Sequence, residues 1–385
     1  MHKNVAFIIK HFTERGTELA TYNYAKYNES ILGNSSIIVA FNKKTNQKKE
    51  KFINTSRELF SKKFKIIEIQ NIEDMREIIK KEKISFAYIQ SHGFYRDDFK
   101  LNENIIWGEC KTIYHYVFGP MARQGSDIRC VIGKDLNRRF NKKIPVLPYI
   151  VNKHIYYGDL RKNLNLSKNT TVIGRHGGFN TFDINFVKDT IKAVLKKRKD
   201  IVFLFLNTEK FINHKRVIYL EKTTSFKKKA LFIDTCDFML HARKDGETFG
   251  LAVAEFSVAN KPVITYGRSK DKEHIRILEN KSILYDNKNQ LFDILYKAKK
   301  ETLKNKNFNC YQDFHPEKVM CIFNEICLSN ASPKKIDIEE FFRDLPWEII
   351  IIFKLFFETL KSYFFKLIPI SLKHHFKKFL YNNLL

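Results

Sequence analysis

Two carboxylates stand close together in the segment running from His241 to Tyr266, HARKDGETFGLAVAEFSVANKPVITY: Glu247 and Glu255, with seven residues between them. Glu247 lies in a loop bracketed by Gly246 and Gly250. Leu251 onward is an Ala-rich apolar run with helix-forming residues, which Lys261-Pro262 ends before a buried strand over 263–266. One carboxylate therefore precedes a helix and the other lies about two turns inside it. The backbone N–H groups of Thr248, Phe249, Gly250 and Leu251 lie between them, and the N-terminus of a helix is a ready anion site. Such an arrangement suits a ligand with a phosphate in its middle and a polyhydroxyl group at either end.

The same segment resembles the E-x7-E signature of family 4 (group 1) retaining glycosyltransferases of GT-B fold, whose common wording is E-x-F-G-L-x-x-x-E-x-x-x-x-x-K-P-V-I. Glu247, Phe249, Gly250, Leu251, Glu255, Lys261, Pro262, Val263 and Ile264 match it. The resemblance implies a nucleotide diphosphate sugar as donor, with Glu247 on the sugar hydroxyls and Glu255 on the ribose. It is strong in the second half of the chain and loose in the first, over about residues 4 to 330.

The elements that must position these residues follow from the rest of the chain. A strand over 5–9, a loop containing Gly16, a helix over 17–32 and a strand over 36–41 open a βαβ unit. Gly16 is where a diphosphate could approach the backbone, although the dinucleotide fingerprint GxGxxG is absent. In the resembled family a Gly-rich loop here, followed by Glu, faces the donor; RGTE, Arg15 to Glu18, is a poorer match. Strands are expected over 64–69, 86–90 and 111–118, separated by a helical stretch over 74–81. Ligands of open α/β sheets gather beyond the carboxyl ends of strands, which makes His92 and His115 candidates. The resemblance gives His115 the transferred sugar, and His92 is a weak candidate for the acceptor side.

Residues 144–151 close a first domain over 1–150, and 151–170 reads as a hinge. The second domain, 171–337, opens with a strand over 171–175 followed by His176-Gly177-Gly178 and a helix over 183–197. Arginine is suited to bidentate phosphate contact, so Arg175 and His176 at this strand end are donor-site candidates. The resembled family places a lysine some six residues after this arginine; here Thr181 and Phe182 stand in its place. Strand-like segments over 201–206, 217–220 and 231–240 lead into the acidic segment. Residues 291–303 and 317–328 read as helical and able to cross back to the first domain.

A net charge of +27 among 385 residues implies a polyanionic neighbour, while a hydrophobic fraction of 44% excludes a disordered chain. The six cysteines form no CxxC pair, which argues against a zinc knuckle or a disulfide framework. No nucleic-acid module is recognisable, so nucleic acid is not an expected partner. The tail, 338–385, has no counterpart in the core. Within it Lys354, Glu358, Lys361 and Lys366 share one helical arc, opposite Phe353, Phe356, Phe357, Leu360 and Phe364, and Lys373, Lys377 and Lys378 follow. That is the composition of an in-plane membrane anchor, and 346–380 is expected to meet an anionic membrane surface. Docking on protein is the other reading.

The expected fold is therefore α/β of GT-B architecture: two Rossmann-like domains, acceptor-binding and nucleotide-sugar-binding, facing a central cleft, with a C-terminal amphipathic helical tail. The expected activity is transfer of a sugar from a nucleotide diphosphate sugar to a lipid-linked or cell-surface glycan, with no cofactor and no metal. The expected location is cytoplasmic, on the inner face of the cell membrane. The alternatives are a GT-B epimerase or phosphorylase, and, from another class, a basic non-catalytic scaffold or a nucleic-acid-binding protein.

Overall fold

Strand β1 (Asn4–Ile9) is apolar almost end to end, the pattern of a strand covered on both faces, and it lies in the middle of a six-stranded sheet. The computed structural model describes residues 2–13, 15–42, 55–91, 99–119, 125–139 and 144–329. His92 and the tail, including 346–380, lie outside the described residues.

The first sheet adds β2 (Ser35–Phe41), β3 (Lys65–Ile69), β4 (Phe86–Ser91), β5 (Lys111–Tyr116) and β6 (Ile128–Val131). Its order is β3-β2-β1-β4-β5-β6 with every pairing parallel. The second sheet contains β7 (Thr171–Arg175), β8 (Ile201–Leu206), β9 (Val217–Leu220), β10 (Phe238–His241), β12 (Val263–Tyr266) and β14 (Ile283–Tyr285). It is parallel too, in the order β14-β12-β10-β7-β8-β9. Each half thus begins at a central strand, builds outward on one side and then returns to build on the other. The order in which strands are added reverses between β1 and β4 in one sheet and between β7 and β10 in the other, the places where open α/β sheets bind ligands. A two-residue ribbon, β11 (Gly246–Glu247) beside β13 (Asp271–Lys272), stands apart from both sheets.

One sequence expectation fails inside the second half. Residues 231–240 read as a strand, but the Phe226–Thr235 helix takes the first part and β10 only the end. Ser225 caps that helix by accepting from the Lys228 amide, and only one face of it is buried, with Ala230, Phe232 and Ile233 inside. A short apolar run does not distinguish a buried helix from a buried strand.

The chain returns to the first sheet at its end. The Pro316–Phe323 helix places Phe323 against Phe7, Tyr24 and Tyr88, with ring centroids 6.4, 5.3 and 5.6 Å away. Tyr24 and Tyr27 hold the stretch leading away from the first sheet through the Pro148 carbonyl (2.6 Å) and the Asn152 side chain (2.5 Å). His154 and Arg161 then bind Asp234 and Asp237 of the second half, at 2.8 and 2.9 Å.

One carboxylate joins the halves directly. Glu273, at the start of the Glu273–Leu278 helix, accepts from the backbone amides of Lys134 (3.1 Å) and Asp135 (2.9 Å), which open the Lys134–Arg139 helix of the first half. It is 2% exposed and also bound by Arg276. Gly133 permits this approach: a Cβ there would lie 2.7 Å from the Thr248 carbonyl oxygen and 2.8 Å from the Glu273 carboxyl carbon. Gly133→Ala is expected to destabilise the fold by about 1 to 3 kcal/mol, the usual penalty of overpacking, measured by urea unfolding; unchanged stability would show that the two halves give way freely here.

Candidate functional site

The reversal points deliver Arg175 and His176 at the end of β7 and His241 at the end of β10. From His241 the chain leaves the sheet and folds back as the β11–β13 ribbon. Gly246 makes the fold-back possible: its φ is +68°, and a Cβ would lie 1.9 Å from the Asp271 carbonyl oxygen, so no side chain fits. The next residue, Glu247, is thereby carried over the strand end.

Glu247 meets two partners there. His241 Nε2 lies 3.3 Å from one carboxylate oxygen and Arg243 Nη1 donates to the other at 3.1 Å. Burial works against ionisation, but the His241 hydrogen bond and the Arg243 charge outweigh it and hold the carboxyl at about 2. Behind His241, Thr265 stands directly across from it on β12, 2.9 Å from His241 Nδ1, and Thr265 Oγ1 lies 3.0 Å from His274 Nε2.

The Leu251–Val258 helix follows. Gly250, its N-cap, has no side chain with which to cap the first turn, whose amides have no intrahelical acceptor. One turn further on, Glu255 repeats the pattern of Glu247. His176 Nε2 lies 3.0 Å from one of its oxygens and Lys229, from the Phe226–Thr235 helix, binds the other. Here too burial is outweighed, by Lys229 and then His176, and the carboxyl is held at about 2. The His176 ring stacks on Phe256, with centroids 5.6 Å apart, and burial lowers its pKa. Both glutamates are thus ionised, one before the uncapped turn and one inside the helix.

Arg175 occupies a different position from a bare phosphate donor. Its two terminal nitrogens donate to Asn207 O (3.0 Å), Thr208 Oγ1 (2.6 Å), Gly178 O (2.8 Å) and Thr181 Oγ1 (2.8 Å). The guanidinium lies over the Phe182 ring, and burial lowers its pKa to about 10 against the pull of Glu247. Thr181 and Phe182, which stand where the resembled family has a lysine, are therefore the acceptor and the platform of this arginine. Arg175 ties together the 176–181 and 207–208 loops.

His115 is likewise enclosed. It is fully buried among Tyr24, Tyr88 and Tyr149, its Nδ1 is 2.6 Å from the Tyr88 hydroxyl, and burial lowers its pKa to about 3. It touches protein, one layer behind Tyr149, whose other side packs on Phe249 at 5.6 Å. Phe249 is a core residue between Tyr149, Tyr311 and Phe314, and its carbonyl accepts from the Tyr311 hydroxyl. Thr248 is also buried and turns its carbonyl toward Gly133. Gly16 opens the Gly16–Ser30 helix of the first half, and its Cβ position is 3.5 Å from Leu251 Cδ1, so the first half's loop touches the start of the acidic helix. Beside it Glu18, bonded by Thr17 Oγ1, has its pKa raised by burial.

Three residues of the site escape a reading by type and spacing. His241 and Arg243 lie six and four residues before Glu247, close enough for local pairing to have suggested them. Lys229 carries no such signal, because only the tertiary fold brings its helix to Glu255. Among the described residues no group of three or more His, Cys, Asp or Glu could hold a metal ion, and no helix is long and apolar enough to cross a membrane.

No family model matches the sequence and no curated protein is a detectable sequence relative. Solved structures do match. The Anabaena protein HepE in complex with UDP and glucose superposes with a TM-score of 0.64 at 12% identity, over 86% of this chain and 100% of that one. A glycosyltransferase from Rickettsia africae gives 0.60 at 15% identity over 86% and 100%, and WaaG, a glycosyltransferase involved in lipopolysaccharide biosynthesis, gives 0.59 at 11% over 85% and 100%. The fold is GT-B. At these identities the likeness speaks for the fold, and the chemistry has to be argued from the site.

Two measurements test the electrostatics. A carboxyl at about 2 in the fold, against 4.5 for an ordinary glutamate, contributes stability that is present above pH 4.5 and lost as pH falls toward 2. In Glu247→Gln the loss of stability over that interval should be shallower than in the native chain, read from urea unfolding at stepped pH; parallel curves would mean that Glu247 is not held ionised. Arg175→Lys, which keeps the charge and loses the fork, should destabilise by at least about 3 kcal/mol, two charge-assisted bonds at roughly 1.5 to 3 kcal/mol each. A fully stable Arg175→Lys protein with impaired ligand binding would return this arginine to the ligand.

Proposed function

We propose that this chain is a glycosyltransferase that takes a nucleotide diphosphate sugar and transfers the sugar to a lipid-linked or cell-surface glycan. The observation that carries this reading is the pair of ionised carboxylates, each with its own cation and histidine, flanking an uncapped helical turn. A diphosphate suits the turn, where aligned backbone dipoles favour negative charge. Hydroxyl-rich groups suit the two carboxylates, which accept hydrogen bonds at either end. Glu255 would take the ribose and Glu247 the hydroxyls of the transferred sugar. HepE, which shares the fold, was solved with UDP and glucose.

The reaction breaks the bond between the anomeric carbon and the diphosphate, so charge grows on the departing phosphate and on an oxocarbenium-like sugar. Preorganised donors and dipoles are the natural source of stabilisation. The amides at Gly250 and Leu251 and the cations Arg243 and Lys229 lie beside the two carboxylates for this purpose, and Gly16 brings the first half against the same turn. We take the mechanism to need no metal, and retention of configuration to follow from the resemblance of the Glu247–Glu255 segment. Residues 346–380 supply the reading of an acceptor at a cytoplasmic membrane face.

The roles of the two glutamates are separable. Glu247→Ala should lower turnover of the donor with nucleotide affinity nearly unchanged, whereas Glu255→Ala should chiefly weaken nucleotide binding. Each effect should be roughly tenfold to a hundredfold, equivalent to about 1 to 3 kcal/mol for a buried hydroxyl left without its partner. A donor panel scored by nucleotide release, with calorimetric titration of the free nucleotide, measures both. Release of no nucleotide from any donor, with sugar epimers formed instead, would replace transfer by epimerisation.

A further inference from the structure

The stretch that leads into the second half carries three large apolar side chains in succession on its outside: Ile155, Tyr156 and Tyr157 are 65%, 38% and 81% exposed. The backbone on either side of them is pinned. His154 Nε2 lies 2.8 Å from Asp234 Oδ1, the Leu160 amide donates to Thr235 Oγ1 at 2.8 Å, and Arg161 donates to Asp237 at 2.9 Å. The His154 ring meets the Tyr157 ring edge to face with centroids 5.8 Å apart. Gly158, at φ +122°, turns the chain where a Cβ would lie 3.2 Å from Leu231 Cδ2. We propose that residues 155–157 are a membrane-contact loop, which seats its apolar side chains among the headgroups of an anionic phospholipid surface while Lys162, Lys168 and Lys227 meet the lipid phosphates.

Exposed apolar residues scattered singly are ordinary, but three together on a clamped arch form a patch that has a use. The charge around the arch selects what covers it. Lys162 follows the arch directly and is exposed. Arg161 donates to the Ser167 and Thr170 carbonyls, which folds the turn carrying the exposed Lys168 back onto the same place. Lys227 is exposed one turn before Leu231, on the helix face against which Gly158 rests. Against these cations stand few free anions. Asp234 and Asp237 are half-buried and taken up by His154 and Arg161, Asp159 accepts from the Arg161 amide at 2.8 Å, and Lys153 and Glu317 offset each other. Protein interfaces are poor in lysine, whereas tyrosine and lysine beside an aliphatic side chain make the mixture of a lipid–water boundary. A chain of net charge +27 is drawn to a surface of anionic lipid for the same reason.

The arch is fastened through Asp234 and Thr235 to the Phe226–Thr235 helix, and the same helix supplies Lys229 to Glu255. Lipid contact at 155–157 is therefore one helix away from the proposed donor site and sets that site's height above the bilayer. This surface is separate from residues 346–380 and belongs to the second half itself. Its purpose, bringing a lipid-linked acceptor to the half that holds the donor, rests on the glycosyltransferase reading, whereas the contact is measured without turnover.

The full-length protein is mixed with vesicles of phosphatidylcholine, with and without phosphatidylglycerol, and followed by co-sedimentation and by hydrogen exchange of peptides covering 153–162. The anionic vesicles should slow exchange over 153–162 at the shortest labelling times, and the neutral ones should not. Ile155→Ser with Tyr157→Ser should remove that protection and weaken partition onto anionic vesicles by about tenfold, because interfacial binding scales with the apolar area buried. Lys162→Glu, Lys168→Glu and Lys227→Glu together should abolish the preference for anionic lipid. All five positions are exposed, so each protein should unfold in urea like the native chain. Native partition by the Ile155→Ser, Tyr157→Ser protein, or unchanged exchange over 153–162, would overturn the loop even if the whole chain sediments. Equal protection by neutral and anionic vesicles would overturn the part given to the lysines. Protection without vesicles that grows with protein concentration would mean that a second copy covers the arch, and would overturn the lipid assignment. If the native protein turns over no donor while anionic vesicles protect 153–162, the function is wrong and the surface is right.

Discussion

Two half-buried carboxylates at the two sides of one helical turn are penalised by burial, so they stay ionised only where each has a cation and an imidazole beside it. Much of the second half of this molecule meets that requirement. β7 ends at His176 for Glu255, and β10 ends at His241 for Glu247. The Phe226–Thr235 helix supplies Lys229, and the loop after β10 supplies Arg243. The two glutamates have the same environment built from unrelated parts of the chain. That duplication is what an elongated ligand with similar groups at both ends would ask for.

The alternation of strands and helices was legible because parallel strands buried on both faces read as apolar runs, unbroken in β8 and after Asn4 in β1 and shorter in β7 and β12. The limit of that signal appears at Leu231 to Ile233, where the same kind of run belongs to a helix, because apolar content without length carries no period. Glu247 and Glu255 were visible because glycines and an adjoining helix former gave their spacing a geometry. Their partners were not read from the sequence, and the signal that could have found them weakens with distance along the chain. His241 and Arg243 are local, Thr265 needs the pairing of β10 with β12, and Lys229 needs the whole domain. A strand-end residue can also point back into its own fold, as Arg175 and His115 do, because type and position do not reveal how many acceptors the tertiary structure brings around a side chain.

Thr181 illustrates how a local departure from a pattern can be self-consistent. A lysine at that position would have placed a second cation beside Arg175. Threonine gives the arginine an acceptor, and the Gly178 carbonyl and the 207–208 loop complete its coordination. On the proposed reading, the positive charge for a diphosphate would come instead from Arg243 and Lys229, the cations paired with the two glutamates.

The cap that Glu273 places on the Lys134–Arg139 helix has a mechanical side. Lys272, its immediate neighbour, pairs with Glu247 in the β11–β13 ribbon, so one covalent step separates the residue that holds the first half from the strand that carries the proposed sugar-facing carboxylate. Peptide linkages barely stretch, and a two-residue ribbon has little slack. A rotation of one sheet away from the other would load this linkage and draw on Glu247. The molecule therefore has a short tether by which the spacing of its halves can be felt at a single side chain.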